Sequence, residues 1–280
     1  MIGGDPRRGG DFKHRAARAS ARALRTLHPR FGLRSSDVLL ASFPKSGSTW
    51  LRFLLANLVS LEELGGVEVD YEVLNGPLRA EYDLHWYPTF ESKSLPRFVK
   101  THRPFEPRRF GRNASCLILR HPGDVMVSYH AYRSAAQGRR RFVGDLSRFI
   151  RDEEVGLPAW RRHLESWWPV ATHRVAYEAL HTDGTGALRA LLEAVGAPVP
   201  PPDVLDAAVE RSSFDRIRAM EERRGLDTRT RRHLDPDFRF ARRGAVGDWQ
   251  GAFSADDRRY LEDLLREIPR EIADEVGCLP

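Results

Sequence analysis

Cysteine is scarce in this sequence: its 280 residues contain only Cys116 and Cys278. Two cysteines cannot build the disulfide framework of a small secreted domain, and these two show no metal-ligand spacing. Cys116 lies in an apolar run, where a small buried thiol fits well. This cysteine usage predicts a reducing compartment, and we expect the cytoplasm.

Long apolar runs are also missing. No stretch approaches the roughly 20 residues that a membrane-spanning helix needs, and no apolar core of a signal peptide is visible. The sequence therefore predicts no transmembrane segment. The overall composition, with 41% hydrophobic and 10% aromatic residues, is that of a folded globular protein.

Basic charge is concentrated at the N-terminus. Residues 1–36 hold nine Lys and Arg against two Asp, whereas residues 37–280 hold 36 basic and 37 acidic side chains. Because the body is nearly neutral, we expect no nucleic-acid binding despite the net charge of +6. We predict a flexible basic extension at 1–36; a solvated arm, a polyanion-binding arm and an organelle presequence all fit its composition.

Apolar strands alternate with helices over residues 37–280, which predicts a single α/β domain with a mainly parallel central sheet flanked by helices. The residue patterns indicate strands at 37–43, 97–102, 114–119 and within 173–180. They indicate helices after 48, near 123, at 158–168, 186–196 and 203–211, and after the Ser-x-x-Asp cap at 254. Residues 66–95 are predicted to be irregular, and the Arg-rich stretch 221–244 a mobile loop.

The strongest site signal is Ser-Phe-Pro-Lys-Ser-Gly-Ser-Thr-Trp at 42–50, between the first strand and the first helix. In a strand–loop–helix of this kind, backbone N–H groups and the helix dipole converge on an anion. Lys45 adds a positive charge, and Ser48 and Thr49 add hydroxyl donors. This is P-loop-like phosphate binding, but the loop is not a Walker A motif, because Lys45 precedes Gly47.

Three segments, in order along the chain, resemble the PAPS-dependent sulfotransferases, whose sulfuryl donor is 3′-phosphoadenosine 5′-phosphosulfate (PAPS). Residues 44–50 resemble the family's 5′-phosphosulfate loop. Residues 119–132 resemble its 3′-phosphate segment, and residues 241–254 resemble its late Arg-Lys-Gly…Gly-Asp-Trp segment. The resemblance covers about 37–255. It implies a cytosolic-type, small-molecule sulfotransferase of EC class 2.8.2, with the sulfotransferase domain at 37–280.

The resemblance also implies donor-binding residues. For the 5′-phosphate end they are Lys45, Ser46, Gly47, Ser48 and Thr49. For the 3′-phosphate they are Arg120, Ser128, Arg242, Arg243 and Gly244. Trp50 and Phe214 would enclose the adenine, Ser212 would lie near it, and Tyr177 would contact the nucleotide. Taken alone, Arg120 fits a structural ion pair and Ser128 an inert helix serine equally well.

A catalytic set follows from the same resemblance. His102 in Lys-Thr-His-Arg-Pro matches the family's general base, and it follows a predicted strand, where α/β active sites form. Lys45 is expected to meet the charge that grows on the leaving bisphosphate, and Ser46 to restrain Lys45. Lys100 and Ser128 complete the set. The sequence shows no metal cluster, and the family implies no metal.

The acceptor is expected to be a small molecule with a hydroxyl or amine group, of aromatic or anionic character. Aromatic residues at 71–90, residues 132–149 and the Arg-rich stretch 221–241 are candidate lining. Arg103 stands where many family members carry an apolar residue, which favours a negatively charged acceptor.

Two alternatives and one open point remain at this level. A P-loop kinase or hydrolase needs a Walker-type lysine and a magnesium-holding acid, and neither is evident. A non-catalytic nucleotide or nucleic-acid binder is the second alternative. The oligomeric state is open, because the Lys-Thr-Val…Glu dimerisation segment of many members is not found near the C-terminus.

Overall fold

The structure, a computed structural model, describes residues 33–75, 92–242 and 244–277. The basic extension at 1–36 falls almost wholly outside these ranges, as do Arg243, Cys278 and most of the aromatic stretch 71–90. The predicted domain boundary and the predicted role of Arg243 therefore stay predictions.

A four-stranded parallel sheet forms the centre of the described domain, as the sequence predicts. The strands are β1 (Val38–Ser42), β2 (Phe98–Thr101), β3 (Ser115–Leu119) and β4 (His173–Ala176). Their order is β2-β1-β3-β4, and every neighbouring pair is parallel. All residues of β1 and β3 are buried, because helices cover both faces of the sheet, and this is why both strands are continuous apolar runs.

Helices follow the strands and flank the sheet. They are α1 (Ser48–Glu63), α2 (Tyr71–Asn75), α3 (Pro107–Phe110), α4 (Pro122–Ser134), α5 (Leu146–Ile150), α6 (Leu157–Trp167), α7 (Tyr177–Thr182), α8 (Gly184–Ala194), α9 (Pro202–Arg211), α10 (Phe214–Arg224), α11 (Thr228–Arg231), α12 (Trp249–Ala252), α13 (Ala255–Glu267) and α14 (Arg270–Gly277), with a 3₁₀ turn at Gly138–Arg140. Within the described ranges, none of them combines the length and the apolar character that a bilayer crossing requires.

Alternating strand residues divide the core between the two faces of the sheet. Leu39 and Leu117 point to the face covered by α4, α6 and α13. Leu40 and Cys116 point to the opposite face, covered by α1, α8 and α9. This period of two is the side-chain geometry of a strand, and it places the helices in two layers around the sheet.

The prediction of a mobile loop at 221–244 is wrong at its start. Helix α10 continues to Arg224, with Ile217, Met220 and Glu221 buried. The arginines lie on its exposed face, where Arg223 and Arg224 form ion pairs with carboxylates of the segment before α2. A helix whose buried face is this short leaves little hydrophobic periodicity in the sequence.

The last predicted helix signal is confirmed. Ser254 caps α13, its hydroxyl accepts from the N–H of Asp257, and the Asp257 carboxylate accepts from the N–H of Ser254. This reciprocal pair is the capping box that the Ser-x-x-Asp pattern predicts.

Candidate active site

A cavity of about 460 Å³ opens at the carboxyl edge of the sheet. The segments after β1, β2, β3 and β4 all meet at this edge, because parallel strands end on the same side. Most of the predicted site residues line the cavity: Lys45, Gly47, Ser48, Thr49, Trp50, Lys100, His102, Arg120, Ser128, Tyr177, Phe214, Arg242 and Gly244.

Two predicted residues do not line this cavity. Ser46 is 1% exposed and borders a smaller space behind the loop, shared with His163. Ser212 is fully buried, and its hydroxyl accepts a 2.9 Å hydrogen bond from the Asn57 amide. Both lie one layer behind the residues that face the cavity, so neither hydroxyl is presented to a ligand there.

The loop after β1 holds two residues in the left-handed backbone region. Lys45 has φ 71° and Gly47 has φ 102°. For a lysine this conformation costs about 1–2 kcal/mol, which the surrounding structure must offset. A Cβ on Gly47 would lie 2.5 Å from the Tyr177 ring, so glycine is required. Helix α1 then starts at Ser48 without a side-chain cap, which leaves its first N–H groups directed at the loop.

The ammonium of Lys45 lies among aromatic rings and other cations. Its Nζ is 4.1 Å from the ring centre of Phe240 and 5.3 Å from that of Tyr132. Lys45 as a whole is half-buried, and the ring centre of Phe238 also lies 5.9 Å from its Nζ. Burial, followed by the positive charges of Arg120 and Lys100, lowers the pKa of Lys45 to about 7. The cavity is therefore strongly electropositive at this point.

His102 is oriented by the end of β1. Its Nδ1 lies 2.8 Å from the carbonyl oxygen of Ser42, which can only accept, so Nδ1 carries the proton and Nε2 keeps its lone pair. Burial, with the charge of Lys100, holds the pKa of His102 well below 6.5. The residue is also exposed to water, and it lines the cavity. The imidazole is thus neutral at neutral pH, the form that a general base needs.

Arg120 connects all three sequence segments. Its Nη1 donates to the Lys45 carbonyl at 3.3 Å, and its Nη2 donates to the Ala245 carbonyl at 3.2 Å. The guanidinium also lies over the Tyr177 ring, 4.2 Å from its centre. Its Nε is buried without a hydrogen-bond partner among the described residues. Arg120 thus lines the cavity as a cation, the kind of group that binds an anionic ligand.

Asp124, to which the sequence assigned no place in the site, joins α4 to the Gly-Asp-Trp segment. Its two oxygens accept from the N–H groups of Gly247, at 2.8 Å, and Trp249, at 3.0 Å. The Trp249 ring stacks on His121 at 4.6 Å, and a Cβ on Gly123 would lie 2.5 Å from the Trp249 ring. The second and third segments therefore form one interlocked unit.

Trp50 is fixed in the wall of the cavity. Its indole N–H donates to the Ser212 carbonyl at 2.7 Å, which ties α1 to the corner between α9 and α10. Its ring lies 4.5 Å from that of His181, a cavity residue that the sequence did not indicate. An exposed face of this indole is suited to stacking against a base.

Phe214 starts α10 and packs against Gly244. A Cβ on Gly244 would lie 2.4 Å from the Phe214 ring, and Gly244 has φ 65°. The Tyr177 hydroxyl lies 3.5 Å from the Gly244 carbonyl. Three residues from separate parts of the chain thus meet at one point of the cavity wall, and the absent side chain of Gly244 allows the approach.

Glu221 is a further residue that sequence reasoning missed. Its buried carboxylate accepts from the N–H groups of Phe240, at 2.7 Å, and Ala241, at 2.9 Å, and from the Tyr71 hydroxyl at 3.2 Å. Burial, with the charge of Glu221, raises the pKa of Tyr71 well above 10. Glu221 thereby holds Phe240 over Lys45. An acid within an Arg-rich stretch gives no sequence signal for such a role.

The predicted acceptor determinants are only partly at the cavity. Arg103 is exposed and is not among the residues that line it. Tyr71 and Tyr132 do line it, as do Phe240 and Ala241 from the Arg-rich stretch. Within the described ranges, no group of three or more His, Cys, Asp or Glu is placed to hold a metal ion.

The cavity fits a polyanionic ligand. Four cations line its inner part, namely Lys45, Lys100, Arg120 and Arg242, against the carboxylates of Asp124 and Asp248. Both Asp124 oxygens already accept backbone N–H groups. The depressed pKa of Lys45 is the direct result of this excess positive charge together with burial.

Comparisons with known proteins place the chain in one family. The family model described as "Sulfotransferase domain" matches residues 35–273. Sulfotransferase 1A1 of Rattus norvegicus is 27% identical over 78% of this chain and 79% of its own length, and that of Bos taurus is 28% identical over 81% of each.

Solved structures show the same fold. Mouse sulfotransferase SULT7A1 complexed with PAP matches with a TM-score of 0.62 at 20% identity, over 88% of this chain and 89% of that chain. Retinol dehydratase in complex with androsterone and inactive cofactor PAP matches with a TM-score of 0.63 at 17% identity, over 84% and 81%. The chain therefore belongs to the sulfotransferase family, the enzymes that take a sulfuryl group from PAPS, as its sequence predicts.

Proposed function

We propose that the cavity at the carboxyl edge of the sheet transfers the sulfuryl group of PAPS to a hydroxyl or amine of a small-molecule acceptor. One observation carries the proposal: a neutral histidine and an electropositive lysine line the same cavity as the loop at the start of α1. A neutral histidine can act as a general base, and a lysine can stabilise developing negative charge. The loop at the start of α1 suits a phosphate.

Donor binding is assigned to residues around the start of α1 and the start of α4. The N–H groups at Gly47 and Ser48, with the Thr49 hydroxyl, hold the 5′-phosphate end. Arg120 and Ser128 hold the 3′-phosphate, together with Arg242, Arg243 and Gly244. Trp50 and Phe214 enclose the adenine, and Tyr177 contacts the nucleotide. The position of Arg120 on the cavity wall supports the 3′-phosphate assignment.

The reaction needs only proton movement and charge stabilisation from the protein. When bound, PAPS supplies the sulfuryl group and a bisphosphate leaving group. His102 Nε2 takes the proton of the acceptor hydroxyl, and the Ser42 carbonyl steadies the imidazolium through Nδ1–H. Lys45, drawn from the aromatic rings by the anionic donor, places its charge at the leaving oxygen. Lys100 and Ser128 assist, and Ser46 restrains Lys45 from behind the loop.

The acceptor end of the cavity has an aromatic wall, which supports an aromatic acceptor. Tyr129, Tyr132 and Phe240 line it, with ring centres 6.4 Å apart for the first pair and 5.8 Å for the second. Anionic character in the acceptor is supported by the overall positive charge of the lining. We also assign the protein to the cytoplasm, which the buried free thiol of Cys116 supports.

Calorimetry with 3′-phosphoadenosine 5′-phosphate (PAP) tests the donor assignment, with AMP and with ATP plus magnesium as controls. Micromolar binding of PAP that needs the 3′-phosphate and no magnesium is expected. If PAP fails to bind the folded protein while ATP with magnesium binds, the result would support a P-loop kinase or hydrolase instead. The family membership does not favour that alternative.

A further inference from the structure

Three arginines border the acceptor end of the cavity. Arg133 ends α4, and Arg139 and Arg140 belong to the 3₁₀ turn Gly138–Arg140. We call these three the arginine rim. Arg139 and Arg140 are exposed, and no carboxylate of the described residues lies within ion-pair distance of any of the three. The rim therefore presents positive charge to whatever enters the cavity.

Several arginines elsewhere on the surface are paired. Arg161 binds Glu267, Arg162 binds Glu153, and Arg223 binds Glu68. By contrast, the side chains of Arg139 and Arg140 have no hydrogen-bond partner in the described part of the chain. Repulsion among adjacent unpaired cations is reduced when an anion binds between them, so the rim favours an anionic ligand.

Arg133 also holds the rest of the arginine rim in place. Its Nε donates to the Arg140 carbonyl at 2.6 Å, and its Nη1 donates to the Tyr129 hydroxyl at 3.2 Å. These two bonds fix the turn that carries Arg139 and Arg140 against the aromatic wall. The guanidinium groups are thus attached to a defined part of the cavity and not to a free surface loop.

The donor does not need this charge. Its 3′-phosphate is assigned to Arg120, Ser128 and residues 242–244, and its 5′-phosphate end to the start of α1. Since a helix rises 1.5 Å per residue, Arg133 lies roughly 7.5 Å beyond Ser128, away from the Arg120 end. The rim is therefore surplus to donor binding.

Aromatic contacts lead from the reacting end to the rim. Lys45 Nζ lies 5.3 Å from the Tyr132 ring centre, and the Tyr132 and Tyr129 rings lie 6.4 Å apart at 22°. The Arg133 guanidinium then lies 5.7 Å from the Tyr129 ring centre. An extended ring system on this wall can place its hydroxyl near His102 and an acidic group near the rim.

We propose that the arginine rim is a subsite for the carboxylate of an aromatic hydroxy acid, which is the acceptor. The proposal rests on the proposed function and specifies its acceptor. The transfer step is unchanged: the acceptor oxygen bonds to sulfur, the sulfur–oxygen bond to the bisphosphate breaks, and the hydroxyl proton goes to His102. The carboxylate takes no part in bond changes and serves only recognition.

Two matched probes test the subsite, 2-naphthol and 6-hydroxy-2-naphthoic acid. Their binding to enzyme saturated with PAP is measured by calorimetry, so that no turnover is involved. Wild-type enzyme is expected to bind the acid about tenfold more tightly at low salt, and to lose most of this preference at high salt. The variant R139A/R140A is expected to lose the preference while its affinities for 2-naphthol and PAP stay unchanged.

Arg141→Ala is the matched control, because Arg141 is exposed and adjacent but does not line the cavity. It should keep the preference for the acid. Equal affinities of wild-type enzyme for both probes, or a preference that persists in R139A/R140A, would overturn the proposal. So would equal weakening of both probes in that variant. Failure to bind PAP would instead overturn the proposed function, whereas PAP binding without a preference for the acid overturns the subsite alone.

Discussion

The ammonium of Lys45 lies 4.1 Å from the ring centre of Phe240. A cation above an aromatic face is attracted to it, but an anion attracts the same cation far more strongly. Under the proposed function, Lys45 would therefore leave the Phe240 ring for the donor's negative charge when the donor binds. Its pKa of about 7 means that near neutral pH the group is easily switched between charged and neutral forms.

Donor binding is expected to take up a proton at alkaline pH. Free Lys45 is mostly neutral at pH 8.5, and a bound bisphosphate favours its charged form, so uptake should approach one proton per PAP at pH 8.5 and fall toward zero at pH 6. PAP affinity should weaken by up to about tenfold per pH unit above 7. Calorimetry in two buffers of different ionisation enthalpy measures the uptake. Lys45→Met should abolish it, and full uptake in that variant would assign the proton to another group.

Replacing His102 with alanine is expected to lower kcat by about 10²- to 10⁴-fold, since the acceptor hydroxyl loses its base. PAP affinity should change little. Because the pKa of His102 is depressed, the acid limb of the wild-type pH profile should lie well below pH 6.5 and should disappear in the variant. His173→Ala, at the opposite edge of the sheet, is the control and should keep wild-type kcat. A His102→Ala enzyme with an intact acid limb would remove His102 from the mechanism.

Gly244→Ala is expected to weaken PAP binding by about tenfold. The added Cβ would lie 2.4 Å from an atom of the Phe214 ring, so the ring would have to move. Gly247→Ala separates this clash from backbone strain, since Gly247 also has a positive φ, of 86°, but has no atom within 4 Å of its added Cβ. Both variants should lose similar stability to strain, about 1 kcal/mol each. If the two variants bind PAP equally, contact with Phe214 does not shape the donor site.

Glu221→Gln is expected to lower the free energy of unfolding by about 1–3 kcal/mol. The side-chain NH₂ of the glutamine would face a backbone N–H that now donates a hydrogen bond to the carboxylate, and two donors cannot bond to each other. The misplaced Phe240 should raise the acceptor KM more than the donor KM. Glu222→Gln is the neighbouring control: that side chain is exposed and forms a surface ion pair with Arg218, so its loss should stay within about 0.5 kcal/mol. Urea unfolding and steady-state kinetics make both comparisons. Equal stability of the two variants would contradict the anchoring role of Glu221.

The sheet and the helices with strong hydrophobic periodicity were predictable from the sequence. The strands predicted at 37–43, 97–102 and 114–119 differ from β1, β2 and β3 by one residue at an end at most. Their signal is local, because each is a continuous apolar run between turn residues. Helix α10 was missed because its exposed arginines outnumber the few residues of its buried face.

The cavity residues also divide into those that have a local sequence signal and those that do not. Lys45, His102 and Arg120 follow strands and carry motifs, so their meeting could be expected from parallel topology. Asp124 and Glu221 act by accepting backbone N–H groups of residues 123 and 19 positions away, respectively. Such partners leave no residue pattern, because any segment has N–H groups to donate. Arg139 and Arg140 were likewise only part of a candidate lining range, since ion pairing cannot be judged from sequence.

The clasp between Asp124 and the Gly247–Trp249 turn has a consequence for how the protein is made. The donor cavity draws on residues from Lys45 to Asp248, so it cannot exist on the ribosome until most of the sequence has emerged. A nascent chain must therefore bury β1 and β3 without help from the nucleotide. Only the completed, folded chain can be stabilised against unfolding by PAPS, because a ligand stabilises the state that contains its binding site.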